Sequence, residues 1–395
     1  MAAEPAAPDT LSATEAATLL GVSRATLYAY VSRGLVASAP GPGPSRARRY
    51  PRVDLDAFLE RRERARDRDL AAHGSLHWGL PVLDSALTLI EDGRCHLRGR
   101  DIVGLSRESG FEEVAALLWS GDMGAAVSAP VVRARGSGPS ADALARHLVG
   151  ASQTPLVALG APAPVVMRGA ARVVAGMFAA AGARGGGPLA VRLARGWGTP
   201  HARVIDAALV LSADHELNVS SFTARCVASA DAGLEQVLLA ALCALRGRRH
   251  GGLTERVEDL VAGADRDGPR RAAERALGGD GTLPGFGHPL YPDGDPRAAE
   301  LLRITEALAP PGDPVQGLVA LARDQLGQEP TLDLGLAAVA RRLGLPAGAA
   351  FCLFALGRSA GWIAHAIEAR ADDRLIRPRS RYTGPRPVAV GSSPP

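Results

Sequence analysis

The chain reads as mainly α-helical, with a small winged helix-turn-helix module ahead of a larger helical body. Three observations carry this. A capped pair of short helical segments with a glycine turn between them occupies Ser12 to Arg33. An alanine- and leucine-rich run from Leu234 to Leu245 has the length and composition of a helix. Aromatic residues are only 4% of the 395 residues, so alanine, leucine and valine must do most of the packing.

The N-terminal elements follow in order. Ser12-Ala13-Thr14-Glu15 fits a capping box, and Ala16, Leu19 and Leu20 give the helix it opens an apolar face. Gly21-Val22 makes the turn, and Ser23 caps a second helix from Arg24 to Arg33. On it Leu27, Tyr30 and Val31 fall at i, i+3 and i+4 and face inward, with Gly34 as the stop. Ala39–Ser45 and then Arg46-Ala47-Arg48-Arg49-Tyr50 suit a wing, and Val53–Leu59 begins a third helix. Between Arg33 and Arg52 there are basic residues and no acidic ones, the footprint of phosphate contacts. Arg24 and Tyr28 are the base-edge candidates, and Arg46, Arg48 and Arg49 the phosphate candidates. Residues 10–62 resemble the helix-turn-helix of MerR-like and excisionase-type DNA-binding domains. Such a module also serves as a protein-contact unit when fused to an enzyme.

The body carries a series of motifs. Leu97-Arg98-Gly99-Arg100-Asp101-Ile102 precedes Phe111-Glu112-Glu113. Ala213-Asp214-His215-Glu216-Leu217-Asn218 is followed by Ser220, Ser221 and Thr223. Arg248-Arg249-His250-Gly251-Gly252 ends the 234–245 helix. Leu283-Pro284-Gly285-Phe286-Gly287-His288-Pro289-Leu290-Tyr291 leads into Asp295-Pro296-Arg297. Thr331-Leu332-Asp333-Leu334-Gly335, Gly357-Arg358-Ser359-Ala360-Gly361-Trp362 and Arg374-Leu375-Ile376-Arg377 complete the set. Histidine suits proton transfer near neutral pH, and arginine offers a planar fork that matches a carboxylate. The 283–297 stretch therefore reads as a site for a carboxylated carbonyl compound.

In this order and spacing, from about Pro81 to Thr383, the motifs resemble the citrate synthase family, citrate and 2-methylcitrate synthases included. The resemblance implies a body over 81–384, with a large domain (81–251 and 356–384), a small domain (252–355) and a site in the cleft between them. It implies condensation of acetyl-CoA or a related short acyl-CoA with oxaloacetate by an acyltransferase that needs no metal and no redox cofactor, coenzyme A thioester being substrate. By the same resemblance Asp333 removes the methyl proton, His250 hydrogen-bonds the thioester oxygen, and His288 polarises the ketone. His215, Arg297, Arg358 and Arg377 hold the dicarboxylate, Arg377 reaching into the neighbour's site of a homodimer.

Some positions depart from the family pattern. Arg248-Arg249 stands where a proline-leucine is usual, and Leu253-Thr254 where a small residue and asparagine are usual. Pro289-Leu290 replaces an arginine-valine pair, and Asp333 lies between Leu332 and Leu334. These bear on the acyl group and on coenzyme contacts. Asp333 also fits an ordinary first-turn helix residue. The chain has no lysine, so any cationic grip on coenzyme A phosphates falls to arginine, with Arg248 and Arg249 as candidates or simply a solvated loop. His365 follows Trp362 and Ile363 on an apolar helix and reads as core; His73, His77, His96, His147 and His201 carry no motif.

The net charge of +4 is compatible with anionic ligands. Cys95, Cys226, Cys243 and Cys352 have neither metal nor disulfide spacing. No signal-like N-terminus and no apolar run of spanning length is read, so a cytoplasmic protein without membrane contact is expected. Residues 63–80 read as a linker and 385–395 as a disordered tail. The competing reading is a transcriptional regulator that uses the synthase fold as a ligand sensor. A sensor needs the carboxylate grip but not the base.

Overall fold

The computed structural model describes residues 10–41, 47–59, 82–125, 128–132, 138–152 and 161–385. Arg46, His73, His77, the 63–80 linker and 386–395 of the tail lie outside the described residues. The chain divides into two compact units, Met1–Asp84 and Ser85–Pro395.

The first unit begins with β1 (Thr10–Leu11), α1 (Ala13–Leu20) and α2 (Arg24–Ser32). It continues with β2 (Ala39–Pro40), β3 (Arg48–Pro51) and α3, residues 52–59. The capping box is formed: Ser12 N donates to Glu15 Oε2 at 2.8 Å and Glu15 N to Ser12 Oγ at 3.3 Å. Ser23 Oγ accepts from Thr26 N at 3.1 Å and opens α2. Leu27 is fully buried among Ala16, Leu20, Val36, Tyr50 and Leu55, while Tyr30 and Val31 are half-buried. Tyr30 stacks on Phe58 of α3, with ring centroids 5.2 Å apart. The wing is an antiparallel sheet ordered β1-β3-β2, with Ala39 opposite Arg49 and Leu11 opposite Tyr50.

The second unit opens with a meander, β4 (Thr88–Glu91), β5 (Arg94–Leu97) and β6 (Arg100–Asp101). Its two-residue turns, Asp92-Gly93 and Arg98-Gly99, hold positive φ at both positions, which matches the strand twist. Helices follow: α4 (Ile102–Glu108), α5 (Phe111–Ser120), α6 (Ala141–Ala151), α7 (Ala163–Ala180), α8 (Leu189–Trp197) and α9 (Ala202–Leu211). Then come α10 (Val219–Ser229), α11 (Leu234–Leu245), α12 (Leu253–Asp267), α13 (Pro269–Asp280) and α14 (Pro296–Ile304). The last three are α15 (Pro314–Leu326), α16 (Leu332–Arg342) and α17 (Ala349–Asp372).

The main core gathers α5, α7, α9, α11 and α17 around Phe178, Leu209, Leu238 and Trp362. A smaller, separate core joins α12, α13, α15 and α16 through Val257, Leu260, Leu283, Phe286, Leu318 and Leu334. Contrary to the sequence reading, two helices reach spanning length and apolarity, Ala163–Ala180 and Ala349–Asp372. Both are core helices: 67% and 94% of their apolar windows are buried inside the fold. A helix apolar on every side belongs at the centre of a large core, and α17 is buried without a break from Ala349 to Ala366.

Candidate active site

Five segments bring the singled-out residues together. Between α9 and α10 the chain passes through Asp214 and His215, turns at Glu216 with a left-handed φ of 55°, and is capped by Asn218. Asn218 Oδ1 accepts from Ser220 N and Ser221 N, both at 3.1 Å, and from Ser220 Oγ at 2.7 Å. Trp362 Nε1 donates to Ser220 Oγ at 3.0 Å, and His250 Nε2 lies 2.9 Å from the same oxygen. Ser220 has one proton. With that proton on Asn218, His250 Nε2–H is the donor; turned to Nε2 instead, it leaves Nδ1–H of His250 for a ligand.

His250 sits on the tight turn between α11 and α12. A Cβ on Gly251 would meet the Leu245 side chain at 2.7 Å, and one on Gly252 the Arg246 carbonyl at 2.5 Å. The two glycines therefore let the turn close on the end of α11.

The loop before His288 is held to the segment before α16. Gly287 N donates to Glu329 O at 2.9 Å and Thr331 N to Gly285 O at 2.8 Å. Both glycines have positive φ, +83° at Gly285 and +71° at Gly287. This pairing delivers His288 and Asp333 to one place although they are far apart in sequence. Leu290 N donates to His288 Nδ1 at 3.2 Å, so the neutral ring carries its proton on Nε2.

The rings of His215 and His288 meet edge to face at 5.3 Å, and Tyr291 Oη lies 3.0 Å from His215 Nε2. Arg297 stands over the Tyr291 ring and is held by Asp295 through Nε (2.9 Å) and Nη2 (2.8 Å). Arg358 enters from α17, buried, with Nε donating to Ser212 O at 2.8 Å and its guanidinium 4.9 Å over Phe354. The Phe354 ring in turn faces His250 edge-on at 6.1 Å. Asp333 is the second residue of α16 and accepts a hydrogen bond from Thr254 Oγ1 at 2.7 Å.

The electrostatics follow from burial beside two arginines. Burial, then Arg358, pushes His250 down to about 3. Burial, then Arg297, pushes His288 down to about 4. His215 lies well below its ordinary value through burial, then Arg297 and Arg358. All three are neutral at pH 7. Burial raises Asp333 to about 6 against the Thr254 bond. Burial lowers Arg358 to about 10, although Asp214 favours its charge. The arrangement can take a proton at one carboxylate, donate hydrogen bonds from neutral imidazoles, and bind carboxylates at two arginines.

Of the predicted residues, His215, His250, His288, Arg297, Asp333 and Arg358 are linked into this site. Arg377 is not: it lies exposed in the extended segment after α17 and makes no hydrogen bond or ion pair among the described residues. Arg248 and Arg249 are exposed. His365 is buried, as expected of a core residue, 3.3 Å from Asp214 Oδ2, which also accepts from Thr88. Ser220, Thr254, Tyr291 and Asp295 were given no role from sequence. All four stood inside quoted motifs or at a noted departure, but their partners are more than 25 residues away or across a turn. No metal-binding cluster exists among the described residues. In the first unit Arg24 Nη2 donates to Tyr28 Oη at 3.1 Å on an exposed face. Arg48 is exposed, whereas Arg49 turns back to β1, donating to Thr10 O at 2.8 Å.

The family model "Citrate synthase, C-terminal domain" matches residues 170–379, and a helix-turn-helix domain model matches 10–63. The chain is 37% identical over 191 residues to a citrate synthase of Haloferax volcanii, covering 46% of this chain and 50% of that one. It is 34% identical over 197 residues to a 2-methylcitrate synthase of Shewanella oneidensis, covering 48% and 52%. The alignments thus span about half the length of these curated relatives. The fold matches that of a Thermoplasma acidophilum citrate synthase, solved as a ternary complex with carboxymethyl coenzyme A and oxaloacetate. That match has a TM-score of 0.65 at 21% identity and covers 80% of this chain and 97% of that one. A Thermotoga maritima citrate synthase matches with a TM-score of 0.60 at 23% identity, covering 78% and 95%. With more than half of its residues matched by the family model and the body folded as these enzymes are, the chain belongs to the citrate synthase family.

Proposed function

We propose that the protein is a condensing acyltransferase that joins acetyl-CoA, or a related short acyl-CoA, to oxaloacetate and yields citrate or 2-methylcitrate and coenzyme A. The observation that carries this reading is the meeting of an elevated carboxylate, Asp333, with the neutral His250 and His288 and the buried Arg297 and Arg358. Arg297, Arg358 and His215 hold the dicarboxylate. Asp333 takes the thioester methyl proton while His250 donates a hydrogen bond to the thioester oxygen. A neutral donor beside a forming oxyanion stabilises it without adding charge to the ground state. The enol carbon attacks the ketone, and His288 Nε2–H passes its proton to the new alkoxide. Water then cleaves the thioester, the acyl carbon gaining oxygen and coenzyme A leaving as thiol. Closure of the helices within 252–355 over 81–251 and 356–384 excludes water from these steps. Arg377 completes the neighbouring site of a homodimer.

Coenzyme A release from a panel of acyl thioesters and 2-oxo acids tests the reading. Release that requires oxaloacetate and a short acyl-CoA is expected. A folded protein inert with every pair would sink it. The panel also identifies the acyl group, on which the departures at Leu253-Thr254 and Pro289-Leu290 bear.

The exposed Arg24, Tyr28 and Arg48 favour a second reading, in which the first unit binds DNA and the body senses ligand. Selection from a genomic library with and without oxaloacetate and acyl-CoA separates the two. No enriched site, from protein active as a synthase, assigns the module to assembly instead.

A further inference from the structure

Thr254 is wholly buried at the start of α12, four residues after His250. Its hydroxyl donates to Asp333 Oδ1 at 2.7 Å, the one side-chain hydrogen bond to this carboxylate among the described residues. Thr254 is the second residue of α12 and Asp333 the second of α16. The bond therefore joins the turn that carries His250 to the helix that carries the carboxylate. We propose that Thr254 is a positioning residue for Asp333: it occupies Oδ1, leaves Oδ2 to take the substrate proton, and fixes the plane of the carboxylate relative to His250. The proposal rests on the reading of Asp333 as the base.

Three physical points support it. The terminal torsion of an aspartate is broad and two-fold, so an unheld carboxylate presents either oxygen. Threonine is stiff at χ1, and burial in the first turn of α12 sets the direction in which its single proton points. The other charged groups facing Asp333 are Arg297 and Asp295 from the start of α14 and Arg358 from α17. Arg297 and Asp295 are already bonded to one another, and Arg358 Nε is committed to Ser212 O. None of them does what the hydroxyl does. Two groups that act on one thioester, His250 at its oxygen and Asp333 at its methyl, are thus set by a single short link. Leu253-Thr254, a departure from the usual family pattern, supplies it.

The test uses Thr254→Val, which replaces the hydroxyl by a methyl of similar volume, and Thr254→Ser, which keeps it. Two readouts are taken: the carboxyl titration of Asp333 by ¹³C NMR, assigned with Asp333→Asn, and the pH profile of kcat/KM. Thr254→Val is expected to move the titration and the acid limb up by about one pH unit, the scale of a charge-assisted hydrogen bond. It should also lower kcat about tenfold while the oxaloacetate KM stays within about twofold. Thr254→Ser is expected to restore both. An unmoved titration in Thr254→Val, or a Thr254→Ser that behaves like it, overturns the proposal. If the wild type is inert towards every thioester while Thr254→Val still moves the titration, the enzymatic reading has failed and the hydrogen bond has not.

Discussion

Asp295 Oδ2 accepts the Leu332 N–H at 3.1 Å while it also binds Arg297 Nη2 at 2.8 Å. One buried carboxylate therefore fastens Arg297 to the first turn of the helix that bears Asp333. Asp295→Ala leaves Arg297 buried without its partner and frees the start of α16. A loss of about 3–5 kcal/mol is expected, read from the midpoint of urea unfolding. Asp295→Asn, which keeps an acceptor, should lose less. Equal, small losses for both variants would mean that the pair does not hold the site together.

The pH dependence of activity should report Asp333 alone. It lies at about 6, whereas His288 and His250 lie at about 4 and 3. kcat/KM, which reports the free enzyme, should fall with a one-proton slope below about pH 6. A two-proton slope there would put a histidine into the titration.

Stability runs the other way at this residue. A carboxyl raised from 3.8 to about 6 favours folding most when protonated, below about pH 3.8. That contribution is lost as pH rises through about 6. Asp333→Asn should thus be more stable than wild type at pH 7, with the difference shrinking towards pH 4. Urea midpoints at the two pH values check this. A variant less stable at pH 7 would contradict the raised value.

Arg358 is buried, and its Nε is spent on Ser212 O, which leaves the outer guanidinium nitrogens for ligand. Arg358→Leu should raise the oxaloacetate KM by about 10- to 100-fold and leave the acyl-CoA KM much less changed. Equal effects on both substrates would make Arg358 structural.

Arg377 is exposed in the segment after α17 and makes no hydrogen bond or ion pair among the described residues. Mixing an Arg377→Ala chain with a His288→Ala chain should restore part of the activity, because one site of each hybrid dimer escapes both lesions. Absence of complementation in demonstrated hybrids would remove Arg377 from the neighbour's site.

Much of this was legible in the sequence, because the signals were local. The capping box at Ser12 and Glu15, the helix Leu234–Leu245 and the stop at Gly34 formed as read. The six residues that the structure brings together stood in motifs, each a short run with fixed internal spacing. What escaped was long-range. Nothing near Thr254 in sequence points to Asp333, 79 residues on, and nothing near Ser220 points to Trp362, 142 residues on. The β4–β6 meander also went unread, although Asp92-Gly93 is a hairpin signal, because its strands are at most four residues long. The spanning length of α17 was underestimated because Arg358 and His365 interrupt its apolar run; both are buried with partners.

The proposed reaction stands on Asp333 removing a proton from a thioester held beside a dicarboxylate. The most direct measurement pairs calorimetric oxaloacetate binding with coenzyme A release for wild type and Asp333→Asn. Unchanged oxaloacetate affinity and a loss of turnover of about a hundredfold or more are expected. Near-normal coenzyme A release by Asp333→Asn would contradict it.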